Sequence, residues 1–98
     1  MISKIIWSKR SLRQFKKLYE YIKEESPKGA DKVREAIITT SEKLKTTPLM
    51  FEADRFKTNN NGAYRAFTEF DFRVTYKVKA NRIIILKIIH TSQKPKEY

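Results

Sequence analysis

Large apolar residues recur at intervals of three and four along the first half of the chain; in the second half they alternate or run together. Leu12, Phe15, Leu18, Tyr19 and Ile22 share one side of a 3.6-residue period, and Ser8 stands ahead of them where an N-cap belongs. A helix is therefore predicted over Ser8–Glu25. It closes at Ser26-Pro27, because a residue followed by proline is pushed out of the α region. Ala30, Val33, Ile37, Ile38, Ser41 and Leu44 predict a second helix over Gly29–Lys45, ended by Pro48. Ile2, Ile5, Ile6 and Trp7 suggest a short strand before the first helix. Leu49 to Gly62 shows no period, and its "TNNNG" is loop chemistry, since asparagine and glycine tolerate positive φ.

Three strand-like segments follow. "AYRAFTEF" (Ala63–Phe70) is the least regular. "FRVTYKVK" (Phe72–Lys79) alternates, with Phe72, Val74, Tyr76 and Val78 on one face and Arg73, Thr75 and Lys77 on the other. Ala80-Asn81 turns into "RIIILKIIH", a continuous aliphatic run suited to a strand covered on both faces. The order is β-α-α-β-β-β. Two adjacent helices can cover one face of a mainly antiparallel sheet, which predicts a two-layer α+β fold with a single domain over 1–98. The aliphatic strand, with Ile83–Ile89, belongs at the centre of that sheet. The opposite face is expected to carry Arg73, Thr75, Lys77 and Arg65 or its neighbours, and function is expected there.

Charge sharpens that expectation. Lys and Arg number 22 against 11 Asp and Glu, a net charge of +11, so the uncovered face should meet a polyanion: nucleic acid, or an acidic protein. The absence of cysteine excludes disulfides and thiol nucleophiles and fits a reducing cytoplasm. No apolar run is long enough to cross a membrane, and the apolar stretch in "MISKIIWSKR" is too short for a signal peptide, so no membrane association is expected. With one histidine and scattered carboxylates, neither a metal site nor another cofactor is expected.

In their order, "WSKRSLRQFKKLYEYI", a second helix ending in "TTP", then "GAYRAF", "FRVTYKV" and "RIIILKIIHTSQKP" resemble the RelE/ParE superfamily of bacterial type II toxins. The similarity spans essentially the whole chain. It implies a toxin neutralised by a cognate acidic antitoxin. It also implies one of two activities. One branch cleaves messenger RNA at the ribosome without a metal, the 2′-hydroxyl attacking the adjacent phosphate; the other is ParE-like, non-catalytic, and poisons DNA gyrase. The first expectation is the endoribonuclease, and the alternative is the gyrase inhibitor.

Residue by residue, the resemblance assigns Arg73 to the scissile phosphate, where planar guanidinium donors suit two phosphate oxygens. Arg65 matches a neighbouring basic position, and Tyr98 a tyrosine near the scissile nucleotides. His90, the only imidazole, is the ready acid–base group. Asp54 or Glu52 matches an acidic base of one sub-branch. Lys77, Gln93 and Lys94 are expected to bind substrate. Two departures stand out: Phe67 occupies a position that is basic in ribonuclease members, and "HTSQ" replaces "HTSR", so Gln93 stands in for an arginine. On this reading "HTSQKPKEY" is the rim of a phosphate groove, with His90 delivered beside the strand of Arg73.

Overall fold

The computed structural model describes Ile2 and residues 4–98. β1 (Lys4–Trp7) passes into α1 (Lys9–Glu25) at Ser8, whose backbone is extended and whose hydroxyl oxygen accepts the Ser11 N–H at 3.1 Å. Ser26 serves two helices at once. Its N–H closes α1 on the Ile22 carbonyl at 2.9 Å, and its side chain accepts the Gly29 N–H at 3.0 Å. α2 (Pro27–Lys43) therefore begins two residues earlier than predicted. Proline is favoured at the first helical position, where its missing N–H costs nothing and its φ is already set.

The strands β2 (Tyr64–Glu69), β3 (Phe72–Val78) and β4 (Arg82–His90) complete one sheet in the order β1-β4-β3-β2. β1 runs parallel to β4, and the other neighbours are antiparallel. The aliphatic strand is central, as its run of branched side chains, interrupted only by Lys87, favours. The helical hairpin covers one face, and between the layers lie Ile37, Leu44, Val74, Tyr76, Ile83 and Ile85, all fully buried. Trp7 stacks on Phe15 with ring centroids 5.0 Å apart, tying β1 to α1. The buried Tyr76 hydroxyl donates to the Pro48 carbonyl at 3.2 Å, and burial pushes its pKa up to about 12.

Between Thr75 and Tyr76 the register against β4 shifts: Thr75 pairs with Lys87 and Tyr76 with Ile85, leaving Leu86 bulged out. The bulge reverses the alternation of β4. Ile88 faces the helices on one side of it and Ile83 and Ile85 on the other, while Leu86 and Lys87 both line the opposite face. That opposite face is not open. The loop after α2 and the segment after β4 fold across it, so Thr75, expected on an exposed surface, is 1% exposed. Among the described residues, no helix is long and apolar enough to cross a membrane.

Candidate functional site

Asp54 organises the covered face. The "TNNNG" loop places it: Asn60 Nδ2 donates to the carbonyls of Asp54 at 3.1 Å and Tyr64 at 2.8 Å, while Asn60 Oδ1 accepts the Gly62 and Tyr64 amides. Gly62 (φ 99°) and Asn59 (φ 55°) take the left-handed conformations this requires. The Asp54 N–H then bonds the Tyr64 carbonyl at 2.8 Å, and Ala53 bridges to Arg65, so the loop extends the sheet beyond β2.

The Asp54 carboxylate is 2% exposed and fully partnered. Oδ1 accepts from Arg73 Nη2 at 2.8 Å and from the Phe56 amide at 3.0 Å, and Oδ2 accepts the Tyr98 hydroxyl at 2.6 Å. Burial alone would raise its pKa. The donors from Tyr98, Phe56 and Arg73 outweigh that and hold it below the usual carboxylate value. The Tyr98 phenol shifts upward, first from burial and then from its bond to Asp54.

The segment after β4 is docked. The Thr91 N–H bonds the Asp71 carbonyl at 2.8 Å, and Tyr98 exchanges backbone hydrogen bonds with Phe56 (3.0 Å) and Thr58 (2.6 Å). The Tyr98 ring meets Tyr64 edge-on at 5.8 Å, with the Lys87 ammonium 4.0 Å from its centroid. Lys57 and Lys77 lie 4.8 and 5.0 Å from the centre of the Tyr64 ring.

The structure brings together Arg73, Tyr98, Lys77, Gln93 and Lys94 on or at the edge of this face. Asp54, the acidic candidate, joins them, but the structure does not bring Arg65 or His90 there. Pairing sets Arg73 opposite Ile89 and Phe72 opposite His90, so Arg73 and His90 point to opposite sides of the sheet. His90 is exposed at the helical side, its Nδ1 2.7 Å from the Ser92 hydroxyl and its ring edge-on to Phe72. Arg65 pairs with Tyr76 and shares its face, where Nη1 and Nε donate to the carbonyls of Phe51 (2.6 Å) and Gly62 (2.9 Å). Phe67 is 3% exposed in the core. Arg73 itself is compensated by Asp54, its guanidinium 5.2 Å from the Phe56 ring centre.

Two residues at this face escaped sequence reasoning. Arg10, exposed on the first turn of α1, and Lys87, half-buried on β4, line one cleft with Gln93, Lys94 and Lys96. No local pattern marks Arg10, because the packing of α1 beside β4 decides its neighbours. Lys87 interrupts an aliphatic run, and that interruption is its one signal.

A helical hairpin on a mixed four-stranded sheet, in the order β-α-α-β-β-β, is the RelE/ParE-like toxin fold. Residues 5–95 match the family model described as the ParE toxin of the type II toxin–antitoxin system, parDE. The chain belongs to that family. A solved structure titled "Chromosomal ParDE TA system from P. aeruginosa" resembles it with a TM-score of 0.72, covering 92% of this chain and 96% of that one. At 19% identity the likeness speaks for the fold. No curated protein matches.

Proposed function

We propose that this toxin acts by binding DNA gyrase and not by cutting RNA. The observation that carries this reading is the dispersal of the groups that RNA cleavage needs. A metal-free attack by the 2′-hydroxyl requires a base, uncompensated positive charge at the phosphate and an acid at the leaving group. Here Arg73 is neutralised by Asp54, His90 lies across the sheet, Arg65 is bonded to backbone carbonyls, and Gln93 carries no charge. Asp54 is a weakened base, since three donors hold its carboxylate ionised, and the raised pKa of Tyr98 makes it a poor acid. Membership of the ParE family supports the same reading, because ParE-like members form the gyrase-poisoning branch. The target would be met in the cytoplasm, and a cognate acidic antitoxin would neutralise the toxin through its excess positive charge.

One observation favours the ribonuclease reading: Arg73, Asp54 and Tyr98 do meet on one face. A direct comparison decides between them. Purified toxin is titrated into a gyrase supercoiling reaction and, in parallel, into translating ribosomes carrying a defined messenger RNA. Inhibited supercoiling with intact transcripts is expected. Cleaved transcripts with unaffected gyrase would overturn the proposal.

A further inference from the structure

Two clefts meet on the covered face. One, of about 240 Å³, is lined by Arg10, Lys87, Ile89, Gln93, Lys94 and Lys96. The other, of about 380 Å³, shares Arg10 and Lys87 and continues past Ser8 and Leu86 to Tyr64 and Tyr98. Together they form a trough along β4 from the start of α1 to the segment after the sheet.

The trough carries excess positive charge. Among the described residues the ion pairs are Arg34–Glu35, Lys45–Glu42 and Arg73–Asp54, so Arg10, Lys87, Lys94 and Lys96 have no carboxylate partner. Asp54 attracts Lys87 but is buried and already committed to Arg73, Tyr98 and the Phe56 amide. Burial, and then repulsion from Arg10 and Arg73 against that attraction, depress the Lys87 pKa. An anion in the trough would relieve this crowding. The first turn of α1 contains no acidic residue, so the positive end of its dipole adds to the field.

The aromatic rings of this face narrow the choice of anion. Single-stranded nucleic acids are held by stacking splayed bases on free rings. Here Tyr64 and Tyr98 line the cleft, but cations already sit near each ring: Lys87 and Lys57 at Tyr98, Lys57 and Lys77 at Tyr64, and Arg55 and Arg73 at Phe56. A base would have to displace these cations to stack, whereas the same cations can meet phosphates directly, which suits a phosphate backbone whose bases stay paired.

We propose that this trough binds the phosphate backbone of duplex DNA without reading its sequence. We further propose that it is the part of the toxin that touches DNA when gyrase is engaged; this second clause rests on the gyrase reading, and the first does not.

The test measures anisotropy of a labelled duplex of roughly 30 base pairs with the full chain, as salt rises from 50 to 200 mM. Four phosphate contacts give a log–log slope of about −3.6, an affinity loss of about 150-fold over that range. K94A/K96A removes two exposed side chains and should halve the slope, leaving a loss of about 12-fold. K28A/K32A, on the exposed start of α2, should keep the wild-type slope. A wild-type slope in K94A/K96A would overturn the site, and so would single-stranded RNA of equal length displacing the duplex. A gyrase assay run beside it separates the two claims. Wild-type toxin that leaves supercoiling untouched sinks the gyrase reading while the DNA slope stands. If K94A/K96A loses DNA binding yet inhibits gyrase fully, the second clause is wrong.

Discussion

Replacing Asp54 with alanine should destabilise this fold more than any other single polar substitution on the covered face. The change removes the acceptor for three donors: Arg73 Nη2 at 2.8 Å, the Tyr98 hydroxyl at 2.6 Å and the Phe56 amide at 3.0 Å. Breaking a buried ion pair from one side typically costs about 3–5 kcal/mol, because the remaining charge is left desolvated. The Arg73 side chain retains 22% exposure and can recover some hydration, so the lower end applies, about 3 kcal/mol. For a domain of this size that corresponds to a fall in Tm of roughly 12–24 °C. Thermal unfolding followed by circular dichroism reads it directly. A cycle with Tyr98→Phe should show coupling of about 1 kcal/mol or more, since the two groups share one hydrogen bond. The pH dependence carries an independent sign. The folded-state pKa of Asp54 lies below its ordinary 3.8, so its stabilisation is fully present above that value and fades as pH falls through the lower folded one. Asp54→Asn should therefore flatten the acid limb of the stability curve. A Tm within about 2 °C of wild type for Asp54→Ala, far inside the shift expected for this loss, would refute the assignment of Asp54 as the hub.

Other substitutions test separate parts of the structure. Tyr98 has a raised pKa, so its contribution is intact below pH 10.0 and should decline as pH rises beyond it; Tyr98→Phe should remove that alkaline loss in urea titrations at stepped pH. Gln93→Arg restores the charge of ribonuclease relatives but not the missing geometry, so it should yield no cleavage of a defined transcript; cut product would revive the ribonuclease reading. Ile37→Ala empties a fully buried site between α2 and the sheet and should cost about 2–5 kcal/mol by chemical denaturation. Phe70 holds φ 52° at the β2–β3 turn while 54% exposed, so Phe70→Asn should raise stability by about 1 kcal/mol in the same assay.

Local patterns along the chain were enough to place the elements and their layering. Helical spacing from Leu12 to Ile22, the cap at Ser8 and the proline after Ser26 act within a few residues, where local sterics and hydrogen bonds decide the outcome. The aliphatic run in β4, interrupted only by Lys87, likewise favours cover on both faces, which a central strand provides. Arg73 and Tyr98 were legible as a pair of interest because the resemblance marked both. Tertiary structure alone decided what they do. The bulge at Thr75/Tyr76 reset the faces of β4, and in "RIIILKIIH" aliphatic residues on both sides of Lys87 leave no alternation from which a one-residue slip could be read. Register put Arg73 and His90 on opposite sides, although one-dimensional reading set them beside one another. Arg65 could not be told from a free cation until its carbonyl partners on the loop were in place. Asp54 lies 19 residues from Arg73 and 44 from Tyr98, so the contact that neutralises the expected phosphate ligand is non-local. It forms only because the asparagine-rich loop and the segment after β4 close over the same face of the sheet.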